Sequence, residues 1–201
     1  MDNERTTSIE TYTGRFLDPF QPPGDFHLVD IAHALSNLCR FNGHAKRFYS
    51  VAQHSVHVAQ LVRRLGGGQV DVAHALLHDA AEAYMGDVPR PIKRDDFKAA
   101  EQRLLDAIYS WAGLPTIVSP TVQLADDALL YMEARIVLRT GGVSWRGSLV
   151  QDARRRGKSL PLRAAAGLPL WPPLQPTQAK RRFLQQAGWL FPSLPTNCKA
   201  G

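Results

Sequence analysis

The chain has 201 residues, 44% of them apolar, with two cysteines and a formal net charge of +6. A chain of that size buries roughly 70% of its unfolded surface, which excludes wholesale disorder, collagen and coiled-coil arrays. No apolar run nears the ~20 residues of a membrane helix, and residues 1–13 lack the apolar core of a signal peptide.

Cys39 and Cys198 are too few for a disulfide framework, so free thiols and a cytoplasmic location are expected. The charge is lopsided. Residues 150–201 hold nine Lys/Arg and one acid, Asp152, whereas the preceding 149 residues carry a small excess of acid. A basic tail suits polyanions such as nucleic acid or nucleotide phosphates, and equally a solvated surface.

In chain order, residues 16–25 carry three prolines and a glycine and read as a loop. Residues 30–38 place Ile31, Ala34, Leu35 and Leu38 at helical spacing. Asn42-Gly43 then signals a turn. Residues 50–65 repeat Val51, Ser55, Val58, Leu61 and Val62 on one face and stop at the glycines of 66–68. The pattern predicts a continuous third helix over 69–85, closed by Gly86. Pro89 and Pro91 force an extended loop. Asp95-Asp96 opens a fourth helix to about residue 112, where acids complement the helix N-terminus. A fifth spans 116–139, with Ser119 capping and Pro120 in the first turn. Residues 140–175 are rich in Gly, Pro and Arg without a long period. A last amphipathic helix covers 176–188, with Ala179, Phe183, Leu184 and Ala187 inward. No useful strand pattern and no repeat are visible. The expected fold is all-α: a helical domain over 1–140, then an irregular Arg/Pro-rich connection and C-terminal helix over 141–201 packing on the same domain.

Chemistry concentrates in residues 77–87. His78 is followed directly by Asp79, and Glu82 lies four after His78 and three after Asp79, so the three neighbour one another within a turn of an otherwise apolar helix. Buried carboxylates need a partner, and a divalent cation compensates such charge compactly. Imidazole with carboxylate suits zinc, manganese, cobalt or iron; carboxylate alone suits magnesium. His54, on the preceding helix, and an acid of the Asp126-Asp127 pair complete a two-His, two-carboxylate set with open positions, the mark of a catalytic metal. His74, four before His78, also fits by spacing. A metal there would acidify bound water and polarise a phosphoryl or carbonyl oxygen, leaving Glu82 to position or deprotonate that water. His33, His57 and His74 are otherwise read as structural.

These residues, in this order, resemble the HD-domain metal-dependent phosphohydrolases, with their H…HD…D pattern. Within them the chain is similar to the bacterial 5′-deoxynucleotidases and the phage dATP triphosphohydrolases. The resemblance runs from about Tyr12 to Arg139. It is strongest over residues 38–41 with 48–55, over 75–93, and at Ala125-Asp126 with Glu133-Ala134-Arg135. It implies that His54, His78, Asp79 and Asp126 hold the metal. His54 is thereby preferred to His74, and Asp126 to Asp127 because it keeps a seven-residue gap to Glu133. It implies catalytic roles for Glu82 and Asp87, phosphate binding by Arg40 and Lys93, and sugar or base stacking on Phe41, which stands where a tryptophan is frequent. The implied substrate is a small-molecule nucleotide and the implied activity is removal of the 5′-phosphate from (deoxy)nucleotides, foremost deoxynucleoside monophosphates. The alternatives are a dNTP triphosphohydrolase releasing phosphate or tripolyphosphate, and a catalytically silent nucleotide sensor or nucleic-acid-binding module using Arg154, Arg155, Arg156, Lys158 and Arg163. Relatives of this kind suggest a homodimer, and no membrane association is expected.

Overall fold

A computed structural model describes residues 8–142, 164, 167–170 and 172–195. The chain enters through a two-residue antiparallel ladder, β1 (Ile9–Glu10) and β2 (Phe16–Leu17), pairing Ile9 with Leu17 and Glu10 with Phe16. The sequence predicts no strand here, because two residues carry no alternation to read. What holds the ladder is the buried carboxylate of Asp30. It accepts hydrogen bonds from the Thr11 hydroxyl (3.0 Å), the Thr13 amide (2.7 Å) and the Thr13 hydroxyl (2.8 Å), tying the hairpin to α1 (Leu28–Asn37).

α2 (Val51–Arg64) starts at Ser50, whose hydroxyl accepts from the Gln53 amide at 3.1 Å. The sequence assigns α2 one apolar face, yet eleven of its residues are buried. It packs against α1, against α3 (Gln69–Leu77), against α6 (Pro120–Val137) and against the C-terminal helix α7 (Pro176–Leu190). Polar α2 residues therefore turn to the interior: Gln53 Oε1 accepts the Leu174 amide at 2.8 Å, while its buried Nε2 has no hydrogen-bond partner among the described residues. Gly67 in the α2–α3 turn leaves no room for a side chain, since a Cβ there would lie 2.5 Å from Val62 Cγ1.

The single helix predicted over 69–85 is broken. α3 ends at Leu77, residues 78–81 form turns, and α4 (Glu82–Met85) is a separate short helix. The i→i−3 bonds Ala80 N to Leu77 O (2.9 Å) and Glu82 N to Asp79 O (3.0 Å) tighten the chain where His78 and Asp79 sit. Gly86, at φ 81°, ends α4.

α5 (Asp95–Trp111) matches its acidic start. α6 begins at Pro120, later than the 116 suggested by periodicity, because Ser119 caps it by accepting from the Thr121 amide. α7 buries Ala179, Phe183 and Ala187 against α1, α2 and α3. The core is one cluster joining all these helices, and each buried Leu or Val contributes about 1.5–3 kcal/mol. The fold is mostly helical, in agreement with the all-α reading. Among the described residues no helix is long and apolar enough to cross a membrane. Most of the irregular 140–175 segment, its basic residues 154–163 and Cys198 lie outside the described residues.

Candidate metal centre

His54 on α2, His78 in the turn after α3 and Asp126 on α6 each place one ligand atom within 4.8 Å of the others. His54 Nε2 is 3.3 Å from His78 Nε2 and 3.1 Å from Asp126 Oδ1; His78 Nε2 is 3.8 Å from the same oxygen. Asp79 Oδ2 lies 3.2 Å from His78 Nε2 and 3.7 Å from His54 Nε2. Three of the four residues expected to hold a metal, His54, His78 and Asp126, are thus brought together, with Asp79 beside the two imidazoles. Asp127, one residue on, is buried and takes a hydrogen bond from Gln123 instead (3.2 Å). His74 turns away, donating from Nε2 to the Pro115 carbonyl at 2.7 Å with its ring edge-on to Tyr109.

The tautomers of the two imidazoles follow from their far sides. His78 Nδ1 faces the Ala75 carbonyl at 2.9 Å, and a carbonyl only accepts, so Nδ1 carries the proton. His54 Nδ1 faces both oxygens of Glu133, at 3.0 and 3.1 Å. Burial pushes the Glu133 carboxyl up, but His54 and Arg40 outweigh it and hold it below the usual range, so it is a carboxylate and also accepts. In the neutral rings both Nε2 lone pairs therefore point into the same gap, together with oxygens of Asp79 and Asp126. Four electron-rich atoms at such distances repel unless positive charge lies between them. Two imidazoles and two carboxylates suit a borderline divalent ion, and the cluster can hold one.

Without that ion, protons take its place in the electrostatics. Burial pulls His78 down, but Asp79 and Asp126 outweigh it and hold the ring well above its ordinary value. Burial and Arg40 pull His54 down, while Glu133 and Asp126 more than compensate. Burial pushes Asp79 up, but His78 and His54 bring it to about 2, and the same two rings hold Asp126 well below the carboxylate range against its own burial.

Behind the cluster lies a network that the sequence does not reveal. Tyr49 donates its hydroxyl to Glu133 Oε1 at 3.0 Å, so its oxygen accepts from His57 Nδ1, also at 3.0 Å. Burial drives His57 down to about 4, which keeps it neutral. Arg40 Nε is 3.0 Å from Glu133 Oε2, close but off the N–H axis, and Arg40 Nη1 is 3.6 Å from Asp79 Oδ2. Arg40 is set in place by its amide bond to the Tyr49 carbonyl and by the bridge between Cys39 and Ser50. Glu133 enters the sequence reading only through its spacing. The usable signal was an acid two helical turns after Asp126, on the same face of an apolar helix.

On the open side, Glu82 is half-buried, and its solvent-shielded Oε2 has no hydrogen-bond partner among the described residues. Burial, Asp79 and Asp87 all push its carboxyl well above the ordinary value. Asp87 is raised by burial and by Asp79, against the pull of Arg40, His54 and Lys93. Both expected catalytic acids therefore stand in the field of the cluster. Lys93 is engaged by a neighbour, donating to both Glu101 oxygens at 2.8 and 2.7 Å. Arg90, unassigned in the sequence reading, reaches Asp126 Oδ2 with Nη2 at 3.5 Å. Phe41 lies beside Arg40, whose guanidinium carbon is 5.4 Å from the ring centre, and it adopts φ 59°. An aromatic residue in the left-handed region is strained by about 1–3 kcal/mol, a feature that clusters at functional sites.

No protein-family model matches the chain. The chain is 40% identical over 141 residues to the uncharacterized protein YfdR of Escherichia coli K12, covering 68% of this chain and 76% of YfdR. The chain belongs to the YfdR family. A second relative, an uncharacterized protein of Rhodobacter capsulatus, is 36% identical over 132 residues, covering 62% of this chain and 67% of the relative.

Proposed function

We propose that this YfdR relative is a metal-dependent phosphohydrolase of the HD-domain type, removing the 5′-phosphate from (deoxy)nucleotides. The observation that carries the reading is the pair of histidines from separate elements whose Nδ1 protons are tied back to Glu133 and Ala75. Their Nε2 lone pairs face one gap with Asp79 and Asp126. A purely structural polar cluster satisfies its lone pairs with protein donors, whereas this one aims them at each other.

His54, His78, Asp79 and Asp126 would hold the ion. When bound, a divalent cation supplies a Lewis acid for a phosphoryl oxygen and acidifies water. Glu82, with Oε2 unpartnered beside the cluster, accepts or returns a proton there, and its burial keeps that carboxyl proton-binding nearer neutrality. Asp87 shares the same field and steadies Glu82's proton. Arg40 offsets the negative charge that gathers as phosphate enters, and the ring of Phe41 offers a surface to sugar or base. His54 is kept in register by Glu133, as ligand imidazoles generally are by a carboxylate behind them.

The test is metal content by elemental analysis, paired with product analysis on a panel of dNMPs and dNTPs in added manganese or cobalt. Wild type should bind metal stoichiometrically and release phosphate. His78→Ala and Asp126→Ala should each lose the metal and all turnover. Release of tripolyphosphate from dATP with dAMP left intact would move the assignment to a triphosphohydrolase. Stoichiometric nucleotide binding without any product would make the protein a sensor. A wild-type protein without metal affinity would end the reading.

A further inference from the structure

Among the described residues, three cationic side chains stand around the cluster, and they differ in what already occupies them. Arg40 is 9% exposed and lies against Glu133 and Asp79. Lys93 is 12% exposed and is doubly hydrogen-bonded to Glu101. To take a ligand's phosphate, Arg40 would have to abandon the buried Glu133, leaving a desolvated charge behind, and Lys93 would have to abandon two short hydrogen bonds to the half-buried Glu101. Arg90 is 49% exposed, and its contact in the site is one long ion pair to Asp126 Oδ2, at 3.5 Å. Asp126 keeps its place in the cluster without Arg90, since it is its other oxygen that faces His54 Nε2, at 3.1 Å.

Arg90 also sits on a rigid platform. It opens a 3-10 turn (Arg90–Ile92) between Pro89 and Pro91, closed by the Ile92 amide on the Pro89 carbonyl at 3.0 Å. Two flanking prolines fix φ near −65° and limit how far that turn can drift from the cluster. A planar guanidinium so placed presents paired N–H donors of the geometry that phosphate oxygens accept.

We propose that Arg90 is the substrate-phosphate clamp of this site, exchanging its contact with Asp126 for the nucleotide's phosphate, the role that the family resemblance places on Arg40 and Lys93. The inference rests on the nucleotide-phosphohydrolase reading and deepens it by naming the residue that reads the phosphate.

The experiment measures equilibrium binding of a deoxynucleoside 5′-monophosphate and of the corresponding phosphate-free nucleoside. It uses full-length protein in a Glu82→Gln background, at saturating manganese, with metal stoichiometry checked in every variant. Arg90→Ala should weaken the monophosphate by about tenfold to a hundredfold, the range for charge-assisted hydrogen bonds, and leave the nucleoside within about twofold. Arg90→Lys should recover only part of the loss, because a point charge does not replace the fork. Lys93→Ala should cost the monophosphate less than Arg90→Ala does. Equal weakening of nucleotide and nucleoside by Arg90→Ala, an unchanged monophosphate affinity, or a larger loss in Lys93→Ala each overturns the assignment while nucleotide binding itself stands. A background protein that binds metal but neither ligand overturns the phosphohydrolase reading, and Arg90 with it.

Discussion

The two sides of the His54–His78–Asp126 cluster are built on opposite principles. On the inner side His54, Glu133, Tyr49 and His57 are buried and bonded to one another in sequence, with Arg40 against Glu133. On the outer side Glu82 carries an unpartnered oxygen, Asp87 has a raised carboxyl, and Arg90 looks outward from a proline-bounded turn. Satisfied groups hold geometry, because moving any one exposes a buried charge. Unsatisfied groups keep capacity for something that arrives, which is where reacting and binding residues belong. The comparison teaches that partnering separates the two sides: His57 Nδ1 is bonded to the Tyr49 hydroxyl, whereas Oε2 of the half-buried Glu82 is left over.

The sharpest way to break this contrast is at Glu82. Glu82→Gln keeps the size of the side chain and removes its ability to bind and release a proton. With metal content unchanged, steady-state kinetics should show kcat reduced by about 10²–10⁴-fold, the range for general acid–base catalysis. Near-normal turnover would place Glu82 among the structural groups. Next in size is the inner side. Glu133→Ala leaves the Arg40 guanidinium buried without its main partner, and urea denaturation should register a loss of about 3–5 kcal/mol. Glu133→Gln keeps an acceptor for His54 Nδ1, so it should fold and show metal affinity lowered by about 10–100-fold in competition with a chelator. An inner carboxylate whose removal left both stability and metal affinity intact would dissolve the distinction.

The smallest expected effect concerns pH. His57 titrates at about 4 in the folded protein because of its burial, against an ordinary 6.5. Between those values the unfolded chain binds a proton that the native state refuses, so this residue costs stability as pH falls. Relative to His57→Gln, wild type should lose on the order of 2 kcal/mol between pH 7 and 4.5 in parallel denaturation series. A constant difference across that range would mean that His57 takes up its proton as readily in the fold as in the unfolded chain, and that its burial carries no such cost.

Much of the site was legible without coordinates. His78-Asp79 with Glu82 in an apolar segment announced compensated charge, and the resemblance to the HD-domain pattern favoured His54 over His74 and Asp126 over Asp127. The cluster joins the chosen pair, while the Pro115 carbonyl accepts a hydrogen bond from His74 and Gln123 donates to Asp127. The break at residues 78–81 was not legible. Ala75 through Ala83 has full helical propensity, and only the packing of His78 against its partners selects tighter turns there. The commitment of Lys93 to Glu101 was hidden for a related reason: a salt bridge across eight residues depends on how a loop folds back on a helix.

By itself the amino-acid sequence determined the helical class, the position of most helices and the residues able to meet a cation, because apolar periodicity and side-chain chemistry are local properties. Only the tertiary structure decided which lone pairs face each other, which carboxylate stands behind His54 and which cation still faces outward. Those outcomes depend on distances between α2, α6 and the turn after α3, and such distances are set by packing, which no single segment encodes.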